Sequence, residues 1–213
     1  MNNAEIYIIL KDEGTLVYKY SLFGNEQTEK DQLISGFLAA INIFARDIGW
    51  PHGVSLIRSG SLEARFSSGE YVFSVLIINY SQPLNASTEP VLSGIAKEIT
   101  LDFEDQYNNI LKRKYFDLNQ FKDFKEKINK IIQKYEKEAI ELYQKLVLIE
   151  SMYAKVPQKW CIPLIERVSN GENVLNEFTE LIKRYPNMKK AINKVNLGNS
   201  PVWEIFGIPI YKI

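Results

Sequence analysis

Apolar residues recur at helical spacing in the segment LISGFLAAINIFARDI, which runs from Leu33 to Ile48. On a wheel of ~100° per residue the largest of them share one narrow arc, namely Leu33, Phe37, Ile41, Phe44 and Ile48. Ile34, Leu38 and Ala45 widen this arc. The pattern predicts a helix that packs on a sheet through this face. A second strip of small and apolar residues runs along one flank of the helix: Gly36, Ala39, Ala40 and Ile43. We expect this strip to meet another protein or the chain's own C-terminal helices.

Five short runs rich in β-formers surround this helix. Two precede it, Glu5–Lys11 and Thr15–Ser21, and three follow it, Val54–Arg58, Leu62–Ser67 and Tyr71–Tyr80. The first and the last are apolar on both faces, which is typical of central strands that are covered on both sides. The run Val54–Arg58 is short, as expected of an edge strand. The pattern therefore predicts an α/β (α+β) fold with a five-stranded antiparallel sheet sandwiched by helices.

The rest of the chain reads as helical. Apolar residues at helical spacing from Leu92 to Ile110 predict a second helix, and those from Phe121 to Tyr153 predict one long helix that begins near Asp117. The long helix either packs on its own protein or forms an intermolecular coiled coil. Short helical pieces are expected after Val156-Pro157, at Pro163–Ser169, Glu172–Arg184 and Asn187–Val195. We predict a first domain at 1–135 and a helical extension at 136–213, whose apolar tail SPVWEIFGIPIYKI docks in an extended form.

Charge is balanced overall but divided unevenly along the chain. The chain has 26 Lys+Arg and 26 Asp+Glu; residues 1–117 carry 10 basic and 15 acidic residues (−5), and residues 118–213 carry 16 and 11 (+5). The basic residues of the second half alternate with glutamates. This mixture favours a solvated helical surface over a nucleic-acid site.

The residues needed for common catalytic sites are missing from the sequence. No GxxxxGK[ST] segment is present, so a nucleotide-hydrolysing P-loop is not expected. One histidine, His52, and one cysteine, Cys161, cannot assemble the usual zinc site or a Cys/His dyad. Cys161 lies between Trp160 and Ile162 and reads as a buried small hydrophobe. We expect no enzyme activity, no cofactor and no metal.

The chain also lacks the signals of an exported or membrane-spanning protein. No apolar run reaches the ~18 residues that a transmembrane helix requires. A single cysteine and the absence of a signal-peptide pattern favour the cytoplasm. We expect contact with membranes only peripherally or through a partner.

The order strand, strand, helix, three strands, helix, helix resembles the longin domain, a profilin-like module related to roadblock proteins. The residues that carry the likeness are EIYIILKDEGTLVYKYS, the LISGFLAAINIFARDIG helix, the meander that ends in YVFSVLIINY, and the helix from Val91 to Leu111. FDLNQFKDFKEKI resembles the start of the family's last helix. The likeness spans about residues 1–135 and rests on element order rather than on an invariant motif.

The resemblance implies a non-catalytic interaction module that regulates or scaffolds a small Ras-like GTPase, as in membrane-traffic complexes, including archaeal-type relatives. It places the partner site in a groove between the first helix and the third strand. Here the groove would be formed by Gly36, Ala39, Ala40, Ile43 and Arg46 with Val54, Ser55, Leu56, Ile57 and Arg58. Small residues let a partner backbone approach closely, and an edge strand offers unpaired hydrogen-bonding groups.

Several interpretations stay open at this level. The partner is a small GTPase or another longin or roadblock chain, and Arg46 or Arg58 could lend such a GTPase a guanidinium in trans. A self-associating structural protein, for example a homodimer formed through the edge strand or the long helix, is the first alternative. A small-molecule sensor is the second, although the sheet-facing positions offer few polar groups to orient a ligand.

Overall fold

The computed structural model describes residues 3–21, 29–79, 89–113, 115–172 and 174–195 of the 213-residue chain. The strands are β1 (Asn3–Leu10), β2 (Leu16–Ser21), β3 (Leu56–Ser59), β4 (Leu62–Ser68) and β5 (Val72–Asn79). The helices are α1 (Glu29–Asp47), α2 (Glu89–Leu111), α3 (Phe124–Tyr153), α4 (Gln158–Ser169), α5 (Leu175–Arg184) and α6 (188–195). The predicted fold class, an antiparallel sheet with helices and a helical C-terminal part, is confirmed.

The chain forms two compact units, Met1–Gln133 and Lys134–Ile213. The first unit holds the sheet, α1, α2 and the first turns of α3. The second holds the remainder of α3 and the helices α4 to α6. The apolar tail from Ser200 onward, for which an extended docked form is predicted, lies outside the described residues.

The strand order in the sheet is β2-β1-β5-β4-β3, and every neighbouring pair is antiparallel. β1 and β5 pair along their whole length, from Asn3 opposite Asn79 to Leu10 opposite Val72. Side chains on both faces of these two strands are buried, which confirms their predicted central position. β3 lies at one edge, also as predicted, but it spans Leu56–Ser59 rather than Val54–Arg58.

Helices cover both faces of the sheet in the first unit. On one face, Leu38 and Ala39 of α1 join Tyr7, Phe73 and Val75 in a buried cluster. On the other face, the Ser74 hydroxyl lies 3.0 Å from the carbonyl oxygen of Ala96 on α2, to which it donates. The sheet is therefore the middle layer between α1 and α2.

The α2 face of the sheet carries a second core. Leu92, Ile95, Ile99 and Phe103 follow one another at helical spacing and are fully buried, as their periodicity predicts. The Phe103 ring also packs on the rings of Phe121 and Phe124, with centroid separations of 5.1 and 4.9 Å. These aromatic contacts hold the start of α3 in the first unit.

The predicted single helix from Asp117 to Tyr153 is wrong at its start. The Asp117 carboxylate accepts a hydrogen bond from the Asn119 amide (2.9 Å) and caps a separate 3-10 turn, Leu118–Phe121. α3 begins only at Phe124. α4 begins at Gln158 and contains Pro163, whereas the sequence predicts a helical piece that starts at Pro163.

Candidate functional site

α1 turns a face of small and polar residues toward the sheet. Its buried residues are Asp31, Ser35, Leu38, Ala39, Asn42 and Ala45, of which only Leu38 is large and apolar. The opposing sheet face already carries bulky side chains, including Tyr7, Ile9 and Phe73. Small helix residues therefore complete the core, because the sheet supplies most of its volume.

A buried polar network fixes the N-terminal end of α1 in this orientation. The Lys19 ammonium on β2 lies 2.8 Å from Asp31 Oδ1 and 3.2 Å from Glu5 Oε1. The Tyr7 hydroxyl lies 2.9 Å from the same Asp31 oxygen, to which it donates. Burial raises the pKa of Tyr7, and the acceptors Asp31 and Glu5 raise it further. A rotation of the helix about its axis would leave these charges buried without partners.

The C-terminal half of α1 is held by a second polar contact. The buried Asn42 side chain accepts a hydrogen bond from the Val54 amide at 3.1 Å. Gly53, which precedes Val54, has a φ of +70°, and a Cβ atom there would collide with Asn42. Glycine is therefore required where the loop after α1 crosses this side chain.

The middle of α1 approaches the β1–β2 turn closely. A Cβ atom on Gly14 would lie 2.9 Å from the Cβ of Ala39, and Gly14 also has a positive φ of +67°. Ala39 is only 3% exposed. The prediction that Ala39 belongs to an outward strip is therefore wrong, since its methyl group packs under the helix.

Most of the large apolar residues of α1 point to solvent, so the orientation predicted for the centre of the apolar arc is wrong. Leu33 is 77% exposed, Phe37 and Phe44 are each 64% exposed, and Ile48 is 52% exposed. Ile41 is half-buried, Leu38 and Ala45 at the margin of the predicted arc are buried, and Ile34 packs against the cluster beneath the helix. The other four residues of the arc instead join Ala40 in an exposed apolar stripe, which we call the α1 stripe: Leu33, Phe37, Ala40, Phe44 and Ile48. A contiguous exposed apolar surface of this kind marks an interaction site in soluble proteins.

The other three residues of the predicted strip lie in or beside the stripe. Ala40 is exposed within it, Gly36 is exposed next to Ala40, and Ile43 is half-buried. Arg46, which the resemblance also assigns to the partner site, is half-buried. Trp50, just beyond the C-terminus of α1, is 56% exposed. Sequence periodicity detected this surface but assigned it to the wrong side.

The predicted edge-strand residues are partly engaged. Ile57 packs against the cluster beneath α1, and Leu56 is half-buried. Val54 donates its amide to Asn42, and the Ser55 carbonyl accepts a hydrogen bond from the Phe66 amide at 3.0 Å. β3 pairs only with β4, so its outer edge has no partner strand among the described residues. An added strand could pair there.

Arg58 is held by a buried carboxylate. Its Nε and Nη2 atoms lie 2.9 and 2.7 Å from Glu63 Oε2, and Glu63 is fully buried. Arg65 donates to the other oxygen of Glu63. Use of Arg58 in trans would therefore break a paired contact with a buried carboxylate and leave Glu63 with Arg65. The Nε atom of Arg46, in contrast, is buried and has no hydrogen-bond partner within the described part of the chain.

A cleft of about 490 Å³ lies beside β4. Its lining includes Lys11, His52, Ser68 and Lys97. The Lys11 ammonium donates to the Gly69 carbonyl, and the Glu104 carboxylate accepts the amides of Glu70, Tyr71 and Val72 at 2.9, 2.6 and 2.9 Å. These contacts tie α2 to the β4–β5 turn. Among the residues that line the cleft, Lys11 thus has a structural role.

The second unit has its own groove, of about 730 Å³, between α4 and α5. Trp160 lies at its side with the Arg184 guanidinium 4.8 Å from the ring centroid. Cys161 is fully buried, as predicted, and burial raises the pKa of its thiol. A buried thiol of raised pKa is a poor nucleophile.

Metal and membrane chemistry find no support within the described ranges. No group of three or more His, Cys, Asp or Glu residues there could hold a metal ion. None of the helices in those ranges combines the length and the apolar composition needed to cross a membrane. No protein-family model matches the sequence, and no curated protein is significantly similar to it.

Proposed function

We propose that this chain is a non-catalytic protein-interaction module that uses the outer face of α1 as its contact surface. The observation that carries the proposal is the α1 stripe, in which residues such as Phe37 and Phe44 remain 64% exposed in a folded unit. Exposing aromatic rings to water forgoes burial worth roughly 1.5–3 kcal/mol each, so a binding partner accounts for their position.

The proposed partner is a small Ras-like GTPase or another longin or roadblock chain, in a regulatory or scaffolding complex of the membrane-traffic type. This part of the proposal rests on the resemblance of the first 135 residues to longin domains. The edge position of β3 and the exposed side of the preceding helix α1 support it, because the resemblance implies a partner site formed by those two elements. We further propose a cytoplasmic location, with membranes reached only peripherally or through the partner.

Calorimetry with purified Ras-like GTPases of the same genome tests the proposed partner. Each GTPase is titrated nucleotide-free, GDP-loaded and GTP-loaded against the full chain. We expect binding in at least one state and a loss of about 30-fold or more in affinity for Phe44→Glu, because a charge would be buried at the interface.

Leu101→Glu is the matched control for this measurement. Leu101 lies on α2, is 53% exposed, and belongs to the same unit. The same change of an exposed apolar residue to glutamate should leave affinity unchanged there. Absence of binding in all three nucleotide states would reject the GTPase partner, and equal losses for both variants would reject α1 as the contact surface.

Self-association is the second candidate function. One observation favours it: residues 33–45, which include most of the α1 stripe, contain no charged side chain. Because such a surface has no charge that a charged partner could complement, its best partner is another apolar helix surface. A structural homodimer would satisfy that requirement without a second protein.

A further inference from the structure

We propose that the α1 stripe is occupied by the α1 stripe of a second copy of this chain, with the two helices antiparallel about a two-fold axis. This inference deepens the proposed function, since it names the partner of the same surface. It specifies that the two copies contact each other through α1. A homodimer could otherwise form through the edge strand β3 or the long helix α3.

The spacing of the exposed residues is self-complementary. In sequence the stripe reads Leu33, Phe37, Ala40, Phe44 and Ile48. Residues 33 and 48 are equally far from the point midway between residues 40 and 41, and so are residues 37 and 44. When two such helices run antiparallel with their midpoints aligned, the Phe37 ring of one meets the Phe44 ring of the other, and Leu33 meets Ile48. A two-fold interface requires this kind of pairing, because the same patch must serve both subunits.

The centre of the stripe suits close helix packing. Ala40 lies at the axis and is exposed, and a Cβ atom on the neighbouring Gly36 would meet nothing within 4 Å. Small residues at a helix crossing allow interaxial distances near the lower end of the ~8–10 Å range. The large residues on either side would then interdigitate around the small centre.

The size of the surface fits a dimer. Leu33, Phe37, Phe44 and Ile48 are each more than half exposed. Together they offer roughly 500 Å² of apolar surface, which is in the upper range for an apolar patch on a monomer. A patch of this area could form the apolar centre of a standard interface, which buries about 800 Å² on each partner.

The ends of α1 also favour the antiparallel order. Lys30 in the first turn and Asp47 in the last turn are both exposed. Antiparallel packing places the N-terminal end of one helix beside the C-terminal end of the other, which brings these opposite charges to the rim. The macrodipoles of the two helices oppose each other in the same arrangement.

Sedimentation of the full chain at concentrations from about 1 to 100 µM tests the dimer. In this range a dimer with an interface of standard size is populated. We expect the unmodified chain to dimerise and the Phe37→Glu and Phe44→Lys variants each to weaken dimerisation by about 30-fold or more. A one-to-one mixture of the two variants should form a heterodimer, because the introduced glutamate of one chain would face the introduced lysine of the other. Leu101→Glu should dimerise as the unmodified chain does.

Cysteine crosslinking tests the position of the axis. In a chain with Cys161→Ala, the Ala40→Cys variant should form a covalent dimer under mild oxidation, since the two thiols would lie beside the two-fold axis. The Phe37→Cys variant should not, because its copies would be offset along the helices by about 10 Å, beyond the ~7 Å limit between Cα atoms for a disulfide.

A monomer at 100 µM would overturn this inference, as would a dimer that neither stripe variant weakens. A dimer in which Phe37→Cys crosslinks and Ala40→Cys does not would overturn the antiparallel geometry. GTPase binding by a monomer would leave the proposed function standing without the second copy. If the chain dimerises and binds no GTPase, the GTPase partner is rejected and the dimer proposal stands.

Discussion

The ammonium group of Lys19 on β2 lies 2.8 Å from Oδ1 of Asp31 in the first turn of α1, and both side chains are almost fully buried. Because Asp31 lies on the sheet-facing side of α1, this ion pair determines which side of the helix faces outward. The exposure of Phe37 and Phe44 thus depends on a polar contact on the opposite side of the helix. The stripe and the buried ion pair are two consequences of one orientation.

Replacing Asp31 by asparagine should destabilise the first unit. Among the described residues, the change leaves the buried Lys19 charge with Glu5, at 3.2 Å, as its one carboxylate partner. Breaking a buried pair costs about 3 kcal/mol in the free energy of unfolding. Urea denaturation should show this loss for Asp31→Asn.

Glu180→Gln is the matched control for that measurement. Glu180 pairs with Lys183 on the surface of α5, where the two side chains are 72% and 67% exposed. Loss of such a pair should change the free energy of unfolding by less than about 0.5 kcal/mol. Equal effects at both positions would contradict a special role for the buried pair.

The same network predicts a loss of stability at alkaline pH. Desolvation lowers the pKa of Lys19, but hydrogen bonds and charges from Asp31 and Glu5 outweigh it and raise the pKa above 10.5. The folded state therefore keeps its proton after the unfolded chain has lost it. The stabilising contribution should be constant up to about pH 10 and decline as pH rises further. Tyr7, whose pKa is also raised, acts with the same sign.

Lys19→Met tests this pH dependence. The difference in the free energy of unfolding between the unmodified chain and Lys19→Met should be constant from about pH 7 to 9.5 and decrease at higher pH. A difference that already decreases between about pH 7 and 9.5 would contradict the raised pKa, because Lys19 would then lose its proton below its ordinary pKa.

Two adjacent alanines test the orientation of α1. Ala39 is buried within van der Waals reach of the Gly14 turn, whereas Ala40 is exposed. Ala39→Leu should lower the free energy of unfolding by about 1–3 kcal/mol through overpacking. Ala40→Leu, which adds the same atoms on the solvent side, should be nearly neutral at concentrations where the chain is monomeric. The reverse order would place the sheet on the other side of the helix.

Glu104 offers a prediction about the α2 face of the sheet. Its carboxylate accepts three backbone amides of the β4–β5 turn, at 2.6 to 2.9 Å. Glu104→Ala should lower the free energy of unfolding by about 2 kcal/mol, because charge-assisted hydrogen bonds to backbone amides are lost. Asp105→Ala, at the exposed neighbouring position, should have little effect. Thermal unfolding of both variants separates the two cases.

The strand pattern of this chain could be predicted because burial leaves a clear signal in sequence. β1 and β5 are apolar on both faces, and only a central position explains such strands. The edge position of β3 followed from its shortness. The separate turn at Leu118–Phe121 was missed because Phe121 and Phe124 fit the periodicity of a continuous helix, and only the Asp117 cap marks the interruption.

The orientation of α1 could not be predicted from its periodicity. Periodicity identifies the most apolar face of a helix. The inference that this face is buried holds only when the core beneath the helix needs large side chains from the helix to fill it. Here Tyr7, Ile9 and Phe73 already fill the space beneath the helix. The missed signal was the polar spacing of Asp31, Ser35 and Asn42, which share one side of the helix and need buried partners. The ion pair with Lys19 joins residues of different elements and has no local sequence signature.

The pairing of β1 with β5 has a consequence for synthesis of the chain. Leu10 must find Val72, and Asn3 must find Asn79, so β1 has no inner neighbour until the ribosome has completed β5. At about 5–20 residues per second this interval is on the order of several seconds. During it, a strand that is apolar on both faces presents an unpaired edge, the condition under which nascent chains aggregate or recruit chaperones. Chains that terminate before Val72 should accumulate in inclusion bodies rather than as folded fragments.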